Sequence, residues 1–120
     1  MLRCGIDLIE IARVKAGIDR FGERYLNRFF TAEERRDCDD QPHRLAARLA
    51  AKEAVSKALG TGIGDISWRE IEVISDGRGR PVLRLYGAAA ALSESLGLRE
   101  WDISLTHALD HAAAVAVAQG

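Results

Sequence analysis

Hydrophobic positions along this chain recur with two periods, and the changes between them mark out its elements. Leu2 to Glu10 is rich in β-forming residues and predicts a first strand. On that strand Gly5, Asp7 and Ile9 share one face, and Ile6, Leu8 and Glu10 share the other. From Ile11 to Phe29 the period becomes helical: Ile11, Val14, Ile18, Phe21, Tyr25 and Phe29 recur at spacings of three and four, which puts them on one face. Gly22 falls inside this run and either kinks the helix or divides it in two. Thr31-Ala32-Glu33-Glu34 has the form of a capping box and predicts the start of a short polar helix. Gln41-Pro42 opens the next helix, with proline near its first position. That helix runs through Leu45, Leu49, Glu53, Ser56 and Leu59, and Gly60 stops it. Gly60 to Gly64 then reads as a loop.

The second half alternates more than it spirals. Trp68 to Ser75 predicts a strand, Asp76 to Pro81 a turn, and Val82 to Tyr86 a returning strand. Gly87 to Leu96 is an Ala-rich helix ended by Gly97. Trp101–Thr106 and Ala112–Ala118 predict two last strands, joined through Ala108-Leu109-Asp110. No repeat or linker interrupts the pattern. The expected architecture is α+β, one domain over residues 1–120, with a largely antiparallel sheet packed against a long helix.

Composition narrows the function classes. With 120 residues, 48% of them hydrophobic, the chain is long enough for one sizeable core. Its 17 basic and 18 acidic residues give a net charge of −1, with no global pull toward nucleic acid or a membrane surface. Cys4 and Cys38 lack the spacing of a zinc or redox motif. No apolar run approaches membrane-spanning length, and the N-terminus has no signal-peptide pattern, so the expected location is the cytoplasm.

Candidate chemistry rests on two distant carboxylates. Glu53 and Lys57 lie four apart and share a helical face. One reading of the pair is a surface salt bridge; the other is a metal-binding carboxylate beside a phosphate-binding lysine. The Gly60-Thr61-Gly62 loop favours the second, because bare backbone can approach a phosphate closely. Against it, the loop follows a helix C-terminus, whose dipole repels anions. Asp7 has the same two readings: a strand-end aspartate bonded to backbone amides, or a second oxygen ligand for Mg²⁺. That ion typically takes one or two carboxylates plus substrate phosphates. Ser104-Leu105-Thr106-His107 is either a polar strand end or a phosphate contact, and no nucleophile elbow accompanies it. Arg13, Arg20, Arg24 and Arg28 follow at spacings of seven, four and four, forming a stripe about 110° round from the apolar face. Guanidinium forks suit carboxylates and phosphates, so an acidic protein partner is the natural guess, with a plain solvated face as the alternative.

Three segments together resemble the holo-[acyl-carrier-protein] synthases, the short group of 4′-phosphopantetheinyl transferases. They are the Gly-x-Asp-x-x-Glu opening at Gly5–Glu10, the block from Arg48 through Gly62, and the closing Ser104–His107 strand. The Gly79-Arg80-Pro81 turn also fits. The opening departs slightly, with Arg3-Cys4-Gly5 where many relatives carry an additional glycine. The resemblance implies transfer of the 4′-phosphopantetheine arm of coenzyme A to a serine of apo acyl carrier protein, releasing adenosine 3′,5′-bisphosphate. It serves fatty acid synthesis by default, with polyketide carriers as an alternative. It further implies that Asp7 and Glu53 hold Mg²⁺ on the pyrophosphate and that Lys57 contacts the phosphates. Arg48, Gly60, Thr61, Gly62, Pro81, Thr106 and His107 then help bind the nucleotide, and Arg13, Arg20 and Arg24, with Arg28 continuing the stripe, grip the acidic carrier. A homotrimer with sites between subunits is implied as well. On a straight helix Arg48 points about 140° away from Glu53, so these two residues serve one ligand only if it reaches around the helix or spans two subunits. Two other readings stay open: a module that binds coenzyme A and metal without chemistry, and a scaffold that uses only the arginine stripe.

Overall fold

The two periods are realised as a helix-covered sheet and a separate hairpin. The computed structural model describes all residues, Met1–Gly120. Along it run β1 (Leu2–Glu10), α1 (Ile11–Phe21), α2 (Glu23–Phe29), α3 (Ala32–Cys38) and α4 (Pro42–Leu59). A 3-10 turn (Trp68–Glu70) follows, then β2 (Ile71–Ser75), β3 (Pro81–Leu85), α5 (Gly87–Ser95), β4 (Glu100–His107) and β5 (His111–Gln119). The larger sheet is antiparallel in the order β1-β5-β4, so the first strand joins the two last ones; β2 and β3 form the hairpin. The expected α+β class and antiparallel pairing hold.

Small residues set the central interface. On α4, Ala46, Ala47, Ala50, Ala51, Ala54 and Ala58 are buried, and on β5 Ala112, Ala114, Ala116 and Ala118 face them. Without long side chains between them, helix and sheet approach closely. At Gly5 the approach is closest: a Cβ there would stand 1.9 Å from the Ala54 carbonyl oxygen. Glycine is required at this position because α4 leaves no room, and Asp7 two residues on is carried inward beside the same helix.

Gly22 divides the long amphipathic run. It adopts φ 56° and ψ −128°, outside the helical basin, and separates α1 from α2. This break shifts the phase of the second segment. In α2 Leu26 is buried while Tyr25 and Phe29 are half-buried, and Phe21, the last residue of α1 and also expected on the apolar face, is 49% exposed. Trp68–Glu70, expected to begin a strand, is instead a 3-10 turn. Ser67 and Glu70 form a capping box that starts it, and β2 begins only at Ile71.

A buried ion pair ties the hairpin to the helices. The Lys52 ammonium donates to Glu34 Oε1 at 2.7 Å, the Trp68 carbonyl at 2.9 Å and the Ile71 carbonyl at 2.6 Å. Glu34 also accepts from the Thr31 amide, closing the predicted capping box, and from the Val73 amide at 2.8 Å. Neither charged side chain is exposed, and saturation with partners is what makes their burial tolerable. The opposite face of the larger sheet is open and apolar: Leu2, Ile6 and Leu8 are exposed, flanked by Val115 and Val117.

Candidate active site

Asp7 and α4 meet across the Gly5 contact. The Lys57 ammonium donates to Asp7 Oδ1 at 3.0 Å and to the Ile6 carbonyl at 2.9 Å. Lys57 therefore pairs with Asp7, fifty residues away, and not with Glu53 one turn earlier as a helical surface salt bridge would require. Glu53 has no cation within salt-bridge distance. Its carboxyl is held above the ordinary value, first by burial and then by the charge of Asp7, with Lys57 and Arg13 opposing. Two neighbouring carboxylates form a hard-oxygen donor set that suits a divalent cation.

The loop after α4 closes onto the helix end. Gly60 adopts the left-handed conformation with φ 81°, and the amides of Gly60, Thr61 and Gly62 all turn back on the Ser56 carbonyl. They satisfy the helix end and are not presented as a row of donors. What the loop offers is bare, open backbone: a Cβ on Gly62 would meet nothing within 4 Å. Sequence reasoning missed Arg3, whose guanidinium reaches toward the Ala58 carbonyl at 3.4 Å and lies beside Gly60. It places a cation at the negative end of the α4 dipole, which reduces the repulsion of anions expected there.

The remaining candidates gather elsewhere. Arg48, Gly79, Pro81, Thr106 and His107 line a cavity of about 470 Å³ that excludes Asp7, Glu53 and Lys57. Arg48 donates from Nη2 to Ser75 Oγ at 2.8 Å, while its buried Nε has no partner. Behind it lies the buried Cys38 thiol, pushed up by burial and partly restrained by the Arg48 charge. The His107 ring packs on His43 with centroids 5.2 Å apart, and no serine bonds to it. On one chain, then, the candidates form two sets, as the angular offset between Arg48 and Glu53 predicts. Arg13, Arg20, Arg24 and Arg28 are all exposed. Their acidic neighbours are already engaged, Asp19 by Lys15 and Glu23 by Arg35.

A family model of the 4′-phosphopantetheinyl transferase superfamily matches residues 3–116. A holo-[acyl-carrier-protein] synthase of Herpetosiphon aurantiacus is 46% identical over the full length of both chains. The chain belongs to the holo-[acyl-carrier-protein] synthases of that superfamily. A second such synthase, from Dehalococcoides mccartyi, is also 46% identical, covering 99% of each chain. Among solved structures, the Helicobacter pylori holo-[acyl-carrier-protein] synthase in complex with coenzyme A superimposes with a TM-score of 0.88 at 31% identity, covering 97% of this chain and 99% of the other. The Mycobacterium tuberculosis acyl carrier protein synthase is 40% identical with a TM-score of 0.77, covering 98% and 96%. This chain is thus an enzyme of the synthase family.

Within that family frame, the overlooked residues are Arg3, Ser75 and Arg44. Arg44 had a legible signal, since it lies one turn ahead of Arg48 on the same helix. Ser75 had none; only the strand-to-helix packing brings its hydroxyl to Arg48.

Proposed function

We propose that this chain transfers the 4′-phosphopantetheine group of coenzyme A to a serine of apo acyl carrier protein, in the cytoplasm and in service of fatty acid synthesis. The convergence of Asp7, Glu53 and Lys57 carries the reading: two carboxylates and one ammonium from distant segments meet at one point. Asp7 and Glu53 would hold Mg²⁺, which when bound neutralises charge on the coenzyme A pyrophosphate. Lys57 is about half exposed and able to leave Asp7 for a phosphate oxygen. The carrier serine hydroxyl attacks the phosphorus that bears the pantetheine arm. A new serine O–P bond forms, the bond to the bridging oxygen breaks, and adenosine 3′,5′-bisphosphate leaves. Glu53 is the carboxylate proposed to take the serine proton. Pro81, Thr106, His107 and Arg48 would hold the nucleotide, with the bare Gly60–Gly62 backbone beside the phosphates.

The separation of the two sets supports a site composed between copies. One copy would supply Asp7, Glu53 and Lys57, and its neighbour the Arg48 cavity. The exposed Leu2, Ile6 and Leu8 face gives such copies an apolar surface to share, and a homotrimer is the proposed assembly. Sedimentation at the monomer mass would contradict it. Arg13, Arg20, Arg24 and Arg28 would dock the acidic carrier, with Arg13 nearest to Glu53. Incubation with apo carrier, coenzyme A and Mg²⁺ should add one phosphopantetheine arm to the carrier by mass spectrometry. An unchanged carrier mass would overturn the proposal.

A further inference from the structure

The Arg48 cavity contains a second arginine. Arg44 precedes Arg48 by one helical turn and lines the same cavity with Thr106 and His107. Like charges at this spacing repel, and neither guanidinium is ion-paired to a carboxylate. Every arginine–carboxylate pair in the chain involves Arg35, Arg80 or Arg84. Asp37 is the one carboxylate lining the cavity, and it accepts the Ser75 amide at 2.8 Å. Arg48 commits one nitrogen to Ser75, and its Nε is buried without a partner. On the rim, His107 is steadied by the His43 ring from the same helical turn as Arg44. Two guanidinium groups without an ion-pair partner, against one carboxylate that already holds an amide, leave the cavity with a net positive lining that suits an anion.

We propose that Arg44 joins Arg48 in clamping a phosphomonoester, and that Arg44 thereby selects a nucleotide donor carrying a 3′-phosphate. This assignment rests on the transferase reading above. Coenzyme A offers two kinds of phosphate. In its pyrophosphate each phosphorus carries about one charge, and that group belongs with Asp7, Glu53 and Lys57. The ribose phosphomonoester has three free oxygens and a charge of roughly −1.5 to −2 near neutral pH. Two forked guanidiniums match such a dianion in both charge and hydrogen-bond count, whereas one does not.

Steady-state transfer to apo carrier, with coenzyme A and with 3′-dephospho-coenzyme A as donors, tests the assignment on the wild-type chain, Arg44→Gln and Arg44→Lys. For Arg44→Gln, KM for coenzyme A should rise about tenfold or more, the loss expected for a charge-assisted contact, with kcat little changed. KM for the dephospho donor should stay near the wild-type value. Arg44→Lys should recover part of the loss. In calorimetry the affinity loss should be confined to adenosine 3′,5′-bisphosphate and absent for adenosine 5′-monophosphate. Equal losses for both donors, or no loss for either, would overturn the assignment while wild-type turnover of coenzyme A left the transferase reading intact. A wild-type chain that binds and transfers from neither donor would remove both.

Discussion

Replacing Gly5 by alanine tests how the site is assembled. The added methyl would lie 1.9 Å from the Ala54 carbonyl oxygen and 3.0 Å from the Ala58 amide nitrogen. Both are backbone atoms, so no side chain can swing aside. An ordinary contact begins at 3.4 Å, so β1 and α4 must separate by about 1.5 Å at this point. Overpacking of this kind costs about 1–3 kcal/mol. With unfolding entropy near 2.1 cal/mol/K per residue, the melting midpoint should fall by roughly 4–12 °C. The catalytic cost should be larger. Asp7 is two residues from the methyl and Glu53 adjoins Ala54, so the separation opens the space between the two carboxylates. A displacement near 1 Å is enough to cost about a hundredfold. The assay is a thermal melt together with initial rates of carrier modification, taken well below the variant's midpoint so that only folded protein contributes. A variant with wild-type rates and an unshifted midpoint would refute the claim that this contact holds Asp7 against Glu53.

Three further outcomes are expected. Glu53→Gln should abolish transfer yet, without divalent cation, melt above wild type at neutral pH. Because the Glu53 pKa is raised in the folded chain, the folded state binds more protons than the unfolded one between 4.5 and that raised value. Stability from this group therefore falls as pH rises through the window, and the glutamine's advantage should vanish in melts below it; a wild type more stable at pH 7 would contradict this. Lys52→Met strands the buried Glu34 carboxylate and should cost about 3–5 kcal/mol, part of which Lys52→Met/Glu34→Gln restores; chemical denaturation reads both. Reversal of Arg13 and Arg24 to Glu should raise KM for the carrier more than KM for coenzyme A, and equal changes would dissociate these arginines from carrier docking.

Local signals in the sequence were reliable wherever local forces decide. The Thr31–Glu34 capping box, proline at the head of α4, the Gly60 stop and the alternation of β1 each state their structure within a few residues. Gly22 announced a break but not its consequence. The change of phase that buries Leu26 in place of Tyr25 and Phe29 depends on the angle between α1 and α2, which packing sets. The Ser67–Glu70 capping signature was present, and the alternation around it masked it. For the site, helical spacing joined Glu53 to Lys57 and the family resemblance added Asp7, but only the Gly5 contact explains why Lys57 pairs with Asp7 and not with Glu53. The burial of Lys52 has no local signal; Glu34 and two carbonyls close around it only in the fold. Pairing of β1 with β5 spans nearly the whole chain, and no local pattern encodes it.

Shared grip on one divalent ion by Asp7 and Glu53 is the claim on which the mechanism depends. Titration of Mn²⁺ into the chain with coenzyme A present, followed by electron paramagnetic resonance, measures that grip without turnover. One ion per site is expected for the wild type, with affinity reduced at least about tenfold in both Asp7→Asn and Glu53→Gln. Unchanged Mn²⁺ affinity in either variant would contradict it.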